Sequence, residues 1–110
     1  MNINVVDQQV SVSGQITSED VMCLVEQGVE IVVCNRPDNE EMNQPTFDSI
    51  QAAALKAGVE IVNIPFAGGG MLPGQPEELA VLLKTGKRIH AYCRTGNRST
   101  QLCHAAAQLL

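Results

Sequence analysis

Short apolar runs and longer amphipathic stretches alternate along the chain from Gly14 onward. Ile31-Val32-Val33-Cys34 is apolar throughout, the pattern of a short strand covered on both faces. Glu60 to Ile64 and Arg88 to Tyr92 read as further strands, and residues 3–6 and 10–13 are β-rich runs ahead of Gly14. Ser18-Glu19-Asp20 has the composition of a helix start, with acids at the positive end of the helix dipole. Val21, Leu24 and Val25 give that helix an apolar stripe and Gly28 ends it. Pro45 opens a second helix, with Phe47, Ile50, Ala54 and Leu55 in its apolar pattern and Gly58 after it. A third helix starts at Pro76-Glu77-Glu78 and runs through Leu79, Leu82 and Leu83 towards Gly86, and a last one runs from Ser99 to the end. Asn35 to Glu40 and Pro65 to Gly74 are loops, the second holding Gly68-Gly69-Gly70 and two prolines, a composition that predicts mobility.

This alternation predicts an α/β fold, a three-layer α/β/α arrangement around a mainly parallel sheet. The runs 31–34, 61–64 and 88–92 are expected to be neighbouring parallel strands. Sites in such sheets lie at the carboxyl ends of strands, which is where Cys93 falls.

At 110 residues the chain is expected to form one domain, residues 1–110, with an aliphatic core, since it has two Phe, one Tyr and no Trp. A formal net charge of -5 argues against nucleic acid and anionic membrane as partners. No window is long and apolar enough to span a bilayer. Met1-Asn2-Ile3-Asn4 has no basic region leading into an apolar run, so a cytoplasmic location is expected. Four cysteines without a Cys-x-x-Cys pair, and two histidines, complete no zinc pattern; neither metal nor cofactor is expected. Cys23, on an apolar helix face, Cys34, at a strand end, and Cys103, on the last helix, read as core residues.

Cys93-Arg94-Thr95-Gly96-Asn97-Arg98-Ser99 is different, because it links a strand to a helix through a glycine. Such a turn aims backbone N–H groups at one point, and the helix adds its positive end. Arg98 supplies a fork of donors matched to an oxyanion, and Ser99 is placed to donate to the sulfur. All of these favour a thiolate at Cys93. Arg94, Thr95, Gly96 and Asn97 form the anion-binding loop; Arg94 is expected to point outward, with at most a minor part in positioning substrate. The implied partner is a small anionic substrate.

His90 to Ser99 resembles the signature of cysteine-dependent phosphatases and rhodaneses. Together with Val12-Ser13-Gly14-Gln15, Ile31 to Glu40 and Ile64-Pro65, it resembles the beta-lactamase-hydrolase-like protein phosphatase-like family over nearly the whole chain. The resemblance implies the protein tyrosine phosphatase fold, near the small dual-specificity type, and a phosphatase-like hydrolase with Cys93 as nucleophile and Arg98 and Ser99 as its catalytic partners.

Two departures bear on the reaction. The tyrosine phosphatase signature has five residues between Cys and Arg; here there are four, Arg94 to Asn97, as in single-domain rhodaneses. Residues 1–60 nevertheless lack the Asp-x-Arg pattern of a rhodanese. The loop Pro65 to Gly74 also holds no Asp, Glu or His to act as general acid, a contribution worth roughly a hundredfold to ten-thousandfold. Asp38, Glu40 and Glu41 lie in another strand-end loop from which a carboxyl could reach over to replace the acid, but they read more simply as solvated polar residues. Sulfur transfer through a Cys93 persulfide needs no strong acid and stands as the alternative, beside a non-catalytic module that only holds an anion.

Overall fold

The computed structural model describes residues 1–110. Five strands form one sheet: β1 (Asn4–Val5), β2 (Val10–Ser13), β3 (Ile31–Cys34), β4 (Glu60–Asn63) and β5 (Ile89–Tyr92), in the order β1-β2-β5-β3-β4. β3 lies between β4 and β5 and is parallel to both, and β2 is parallel to β5. The three expected strands are therefore neighbours with a common direction. The two-residue β1 turns back antiparallel on the edge beyond β2.

Four helices connect the strands: α1 (Ser18–Glu26), α2 (Phe47–Ala57), α3 (Gln75–Leu83) and α4 (Asn97–Ala107). The helix pairs α1·α2 and α3·α4 pack together, and two separate apolar clusters show that they cover opposite faces of the sheet. One cluster joins Val10, Ile31, Ile89 and Leu102; the other joins Ile16, Leu24, Val32 and Ile50. Successive residues of β3, Ile31 and Val32, feed opposite clusters, as strand alternation requires. No helix is long and apolar enough to cross a membrane.

Local chemistry shifts several boundaries. Thr17, one residue before the expected start, caps α1 through a capping box with Asp20. Thr46 caps α2, so that helix begins two residues after Pro45. α4 begins at Asn97, inside the loop that was expected to precede it. Two assignments to the core are corrected. Cys23 is exposed, because the buried side of α1 is occupied by Val21 and Leu24. Leu55 is also exposed, next to the buried Ala54, on the solvent side of α2.

Candidate active site

β5 is buried along its whole length and delivers Cys93 to the carboxyl edge of the sheet. There the Cys93 N–H donates to the Ser13 carbonyl at 3.3 Å, tying the loop to the end of β2. The fit is close at two glycines. A Cβ on Gly14 would lie 2.8 Å from the Arg94 carbonyl oxygen, nearer than side chains tolerate. Gly96 turns the chain into α4 with φ +98, in the left-handed region that glycine adopts without a steric penalty.

The loop folds around the sulfur. The Gly96 N–H donates to Cys93 Sγ at 3.0 Å. Burial opposes ionisation of this thiol, but the backbone donors of Ser99, Thr95 and Gly96 outweigh it and hold the pKa below the ordinary value. The buried Ser99 hydroxyl makes no hydrogen bond of good geometry, yet it adds a smaller push in the same direction. Cys34 and Cys103 behave oppositely: burial raises both, Cys103 to about 12. Cys93 is fully buried, and the Gly96 amide is bonded to its sulfur.

Above the loop lies an open cleft of about 650 Å³. Arg94, Thr95, Asn97 and Arg98 line one side; Phe66, Ala67, Gly68 and Gly70 of the glycine-rich loop line another. Glu40, Glu41 and Gln101 complete it. As expected, Arg94 points outward, its side chain 61% exposed and 3.4 Å from Glu41.

The reading of residues 38–41 as a solvated loop needs correction at Glu40. Its carboxylate takes Arg98 end-on, with Nη1 to Oε2 at 2.7 Å and Nη2 to Oε1 at 2.8 Å. Arg98 Nη1 also donates to the Phe66 carbonyl at 2.9 Å. A guanidinium has five N–H donors. These three bonds leave Nε–H and the neighbouring Nη2–H, a parallel pair that forms a side-on fork of the kind that holds an oxyanion. Arg98 is thus shared between the Glu40 carboxylate and a two-donor face, and it also interacts with the Cys93 side chain.

Behind Glu40 lies Arg36, only 3% exposed. It donates from Nε to Glu40 at 3.0 Å, from Nη1 to Gln15 at 3.0 Å and from Nη2 to Glu41 at 2.6 Å. The Arg98 bond, aided by Arg36 and opposed by partial burial, holds the Glu40 carboxyl below the usual glutamate range. Glu40 is consequently an anion at neutral pH and has no proton to give. Sequence reasoning missed Arg36, whose strand-end position carries no periodic or motif signal for a contact with Glu40 and Glu41.

His90 sits at the base of the site, buried between Ser11 Oγ and Ser13 Oγ at 2.8 Å each. Ser13 Oγ also donates to the Gly14 carbonyl at 2.8 Å, so its one proton is used and His90 Nε2 must be the donor to it. Burial lowers the His90 pKa to about 4 and keeps the ring neutral.

The chain resembles known proteins in sequence and in fold. Residues 2–109 match the family described as beta-lactamase hydrolase-like protein, phosphatase-like domain. A beta-lactamase hydrolase-like protein of Xylella fastidiosa is 29% identical over 104 residues, which is 93% of this chain but 24% of that protein. The chain therefore spans about a quarter of the length of that curated relative. A solved structure from Neisseria meningitidis, provisionally described as a phosphatase, is 31% identical with TM-score 0.83, over 94% of this chain and 74% of its own. The core catalytic domain of a PP-IP phosphatase from S. cerevisiae shares the fold, with TM-score 0.65 at 17% identity, over 87% of this chain and 57% of its own.

Proposed function

The chain belongs to the phosphatase-like domain family of beta-lactamase hydrolase-like proteins, and from that premise we propose that it hydrolyses phosphate monoesters through Cys93. The observation that carries the reading is the set of backbone donors from Thr95, Gly96 and Ser99 that outweighs burial and favours a thiolate beside the free fork of Arg98. The thiolate attacks phosphorus, an S–P bond forms, and the ester oxygen leaves with the bonding pair. Arg98 Nε and Nη2, with loop amides, hold the non-bridging oxygens as charge shifts among them. Water then attacks phosphorus, the S–P bond breaks, and phosphate, a proton and the thiolate are released. Glu40 positions Arg98, and Arg36 positions Glu40.

The ionised Glu40 and the acid-free loop 65–74 leave the departing oxygen without general acid help. Turnover is therefore expected to depend steeply on leaving-group pKa: activated aryl phosphates react, and alkyl phosphates such as phosphoserine hardly do. The test is intact mass after rapid quenching with an aryl phosphate. A phosphoryl adduct on Cys93, absent in Cys93→Ser, is expected; turnover that survives in Cys93→Ser refutes the reading.

The same missing acid and the four-residue spacing favour a second reading, sulfur transfer. Here Cys93 takes the outer sulfur of thiosulfate, forming an S–S bond while sulfite leaves with the electrons of the broken one. A gain of one sulfur atom on Cys93 with thiosulfate, and no phosphoryl adduct with the ester, would select this chemistry.

A further inference from the structure

Two of the chain's seven Lys and Arg residues line the cleft, Arg94 and Arg98, and a third, Arg36, lies behind it. Two carboxylates, Glu40 and Glu41, face these three cations. The pairing is unequal. Glu40 takes Arg98 through two bonds and Arg36 through a third, and Glu41 takes Arg36 at 2.6 Å. The Arg94 side chain makes no hydrogen bond. It approaches Glu41 only to 3.4 Å, through Nε, on the oxygen that Arg36 already occupies.

Exposure separates the three in the same way. The side chains of Arg36 and Arg98 are 2% and 16% exposed, that of Arg94 61%. Arg94 is thus the surplus cation of the site and the one open to solvent. Since Nε is its atom nearest to Glu41, the terminal pair, Nη1 and Nη2, is the face left for an oxyanion.

Its position suits a ligand. The backbone on either side of the side chain is fixed: the Cys93 N–H is tied to the Ser13 carbonyl, and the Arg94 carbonyl lies against Gly14. The side chain therefore starts from a fixed point one residue after the nucleophile. With Thr95 it lines the Cys93 cleft on one side and a second cleft of about 500 Å³ on the other. That second cleft has no hydrophobic lining residue, and Asn2, Asn4 and Gln15 are among its walls. Arg94 stands on the ridge between the two, where a polar substrate extending from the head-group pocket must pass.

From this placement we propose that Arg94 holds a second oxyanion of the substrate, so that the site prefers phosphate monoesters whose alcohol portion carries its own anionic group. The proposal deepens the phosphatase reading and rests on the cleft being the substrate site of the Cys93 reaction. Arg98 holds the phosphoryl group that reacts, and Arg94 holds a carboxylate or second phosphoryl group on the part that leaves. This gives Arg94 a larger part than the minor one expected of a residue that points outward. Glu41 and the net charge of -5 act against the attraction, and the guanidinium is well solvated. The gain is that of an exposed ion pair, about three- to fivefold in affinity.

The experiment uses three benzylphosphonates bearing a distal carboxylate, sulfonate or carboxamide group, each on a short and on a longer arm. Their P–C bond cannot break by loss of an alkoxide, so binding is read without turnover, as protection of Cys93 from iodoacetamide. The corresponding phenyl phosphates, matched in leaving-group pKa, are assayed in parallel. At low salt at least one of the two anions is expected to bind about three- to fivefold more tightly than the carboxamide, and added salt narrows the gap. Arg94→Gln is expected to bring this ratio to about one, and Glu41→Gln, which removes the opposing charge, to raise it. Each variant is judged by the ratio between compounds, so a general change in its activity cancels. A preference for the sulfonate assigns Arg94 to a tetrahedral group such as a second phosphate, and a preference for the carboxylate to a planar one. Equal or weaker binding of both anions, a ratio that survives Arg94→Gln or falls in Glu41→Gln, or no protection by any phosphonate overturns the proposal. If the phenyl phosphates are hydrolysed without such a preference, the phosphatase reading stands and the role of Arg94 falls. If the phosphonates follow the expected order while no phosphate ester is hydrolysed, the selectivity stands and the phosphatase reading falls.

Discussion

Glu40 closes the end-on face of Arg98 through two charged hydrogen bonds of 2.7 and 2.8 Å, leaving only the side-on fork open. The pair bridges the loop after β3 and the first turn of α4, the two residues lying 58 apart in the chain. Glu40→Gln keeps the shape but removes the charge and one acceptor. A hydrogen bond to a charged group contributes about 1.5–3 kcal/mol. A fall of about ten- to a hundredfold in kcat/KM for an aryl phosphate is expected. Steady-state kinetics and circular dichroism on one preparation test this; unchanged kcat/KM in the folded variant would remove Glu40 from the positioning role.

Arg36 is expected to matter first for stability. Arg36→Met leaves Glu40 and Glu41 without their buried counter-charge. Removing one partner of a fully buried pair costs about 3–5 kcal/mol. The side chains of Glu40 and Glu41 are 24% and 54% exposed and rehydrate in part, so a loss of about 2 kcal/mol is expected. Denaturant titration gives this number directly. The double variant with Glu41→Gln should lose less than the sum of the two single variants.

Gly14 stands where a side chain cannot, 2.8 Å from the Arg94 carbonyl at the Cβ position. Gly14→Ala must push the Cys93 loop aside. Overpacking of this kind costs about 1–3 kcal/mol, and a shift near 1 Å at a reacting centre costs about a hundredfold in rate. Loss of activity together with a rise in the Cys93 thiol pKa is the expected outcome. A variant with normal kinetics would show that the loop tolerates displacement.

The order of strands and helices was legible because each has a local signal: apolar runs at Ile31–Cys34 and Ile89–Tyr92, caps and glycines around the helices. The loop was legible because Cys93, Gly96 and Arg98 are adjacent in sequence. Glu40 was misread because its partner Arg98 lies far along the chain, and a carboxylate in a polar loop carries no mark of the contact. Cys23 and Leu55 were misplaced for another reason. An apolar pattern gives the direction of a helix face within about one residue, and Leu24 and Ala54 took the buried positions beside them.

His90 predicts an acid-side loss of stability. Its pKa is about 4 in the folded protein against 6.5 for the free group, the main cause being burial. Between those values the unfolded chain holds the proton and the folded one does not, so stability falls as pH drops. The full loss is about 3 kcal/mol, complete below the folded value. Glu40 adds a loss in the same direction at lower pH, as its depressed folded pKa is approached. His90→Gln, which cannot titrate, should flatten the slope between pH 6.5 and 4. An unchanged slope in urea midpoints would show that the ring is not the group responsible.

Cys93 is distinguished from the other thiols by the pH at which it reacts, not by exposure. Cys23 is accessible and will alkylate by contact with solvent alone, so total labelling does not identify the nucleophile. Cys34 and Cys103 are buried with raised pKa values and should react last. Cys93 is buried too, yet its amide donors hold its pKa below the ordinary 9.0. Its iodoacetamide reaction, followed site by site by mass spectrometry, should therefore show a midpoint below the ordinary thiol value. Arg98→Ala should move the midpoint up, since a cation that favours the thiolate is removed. Glu40→Gln should move it slightly down: neutralising the carboxylate leaves Arg98 a net positive charge beside the sulfur. If both substitutions shift the midpoint in the same direction, the Glu40–Arg98 pair does not act on Cys93 through charge.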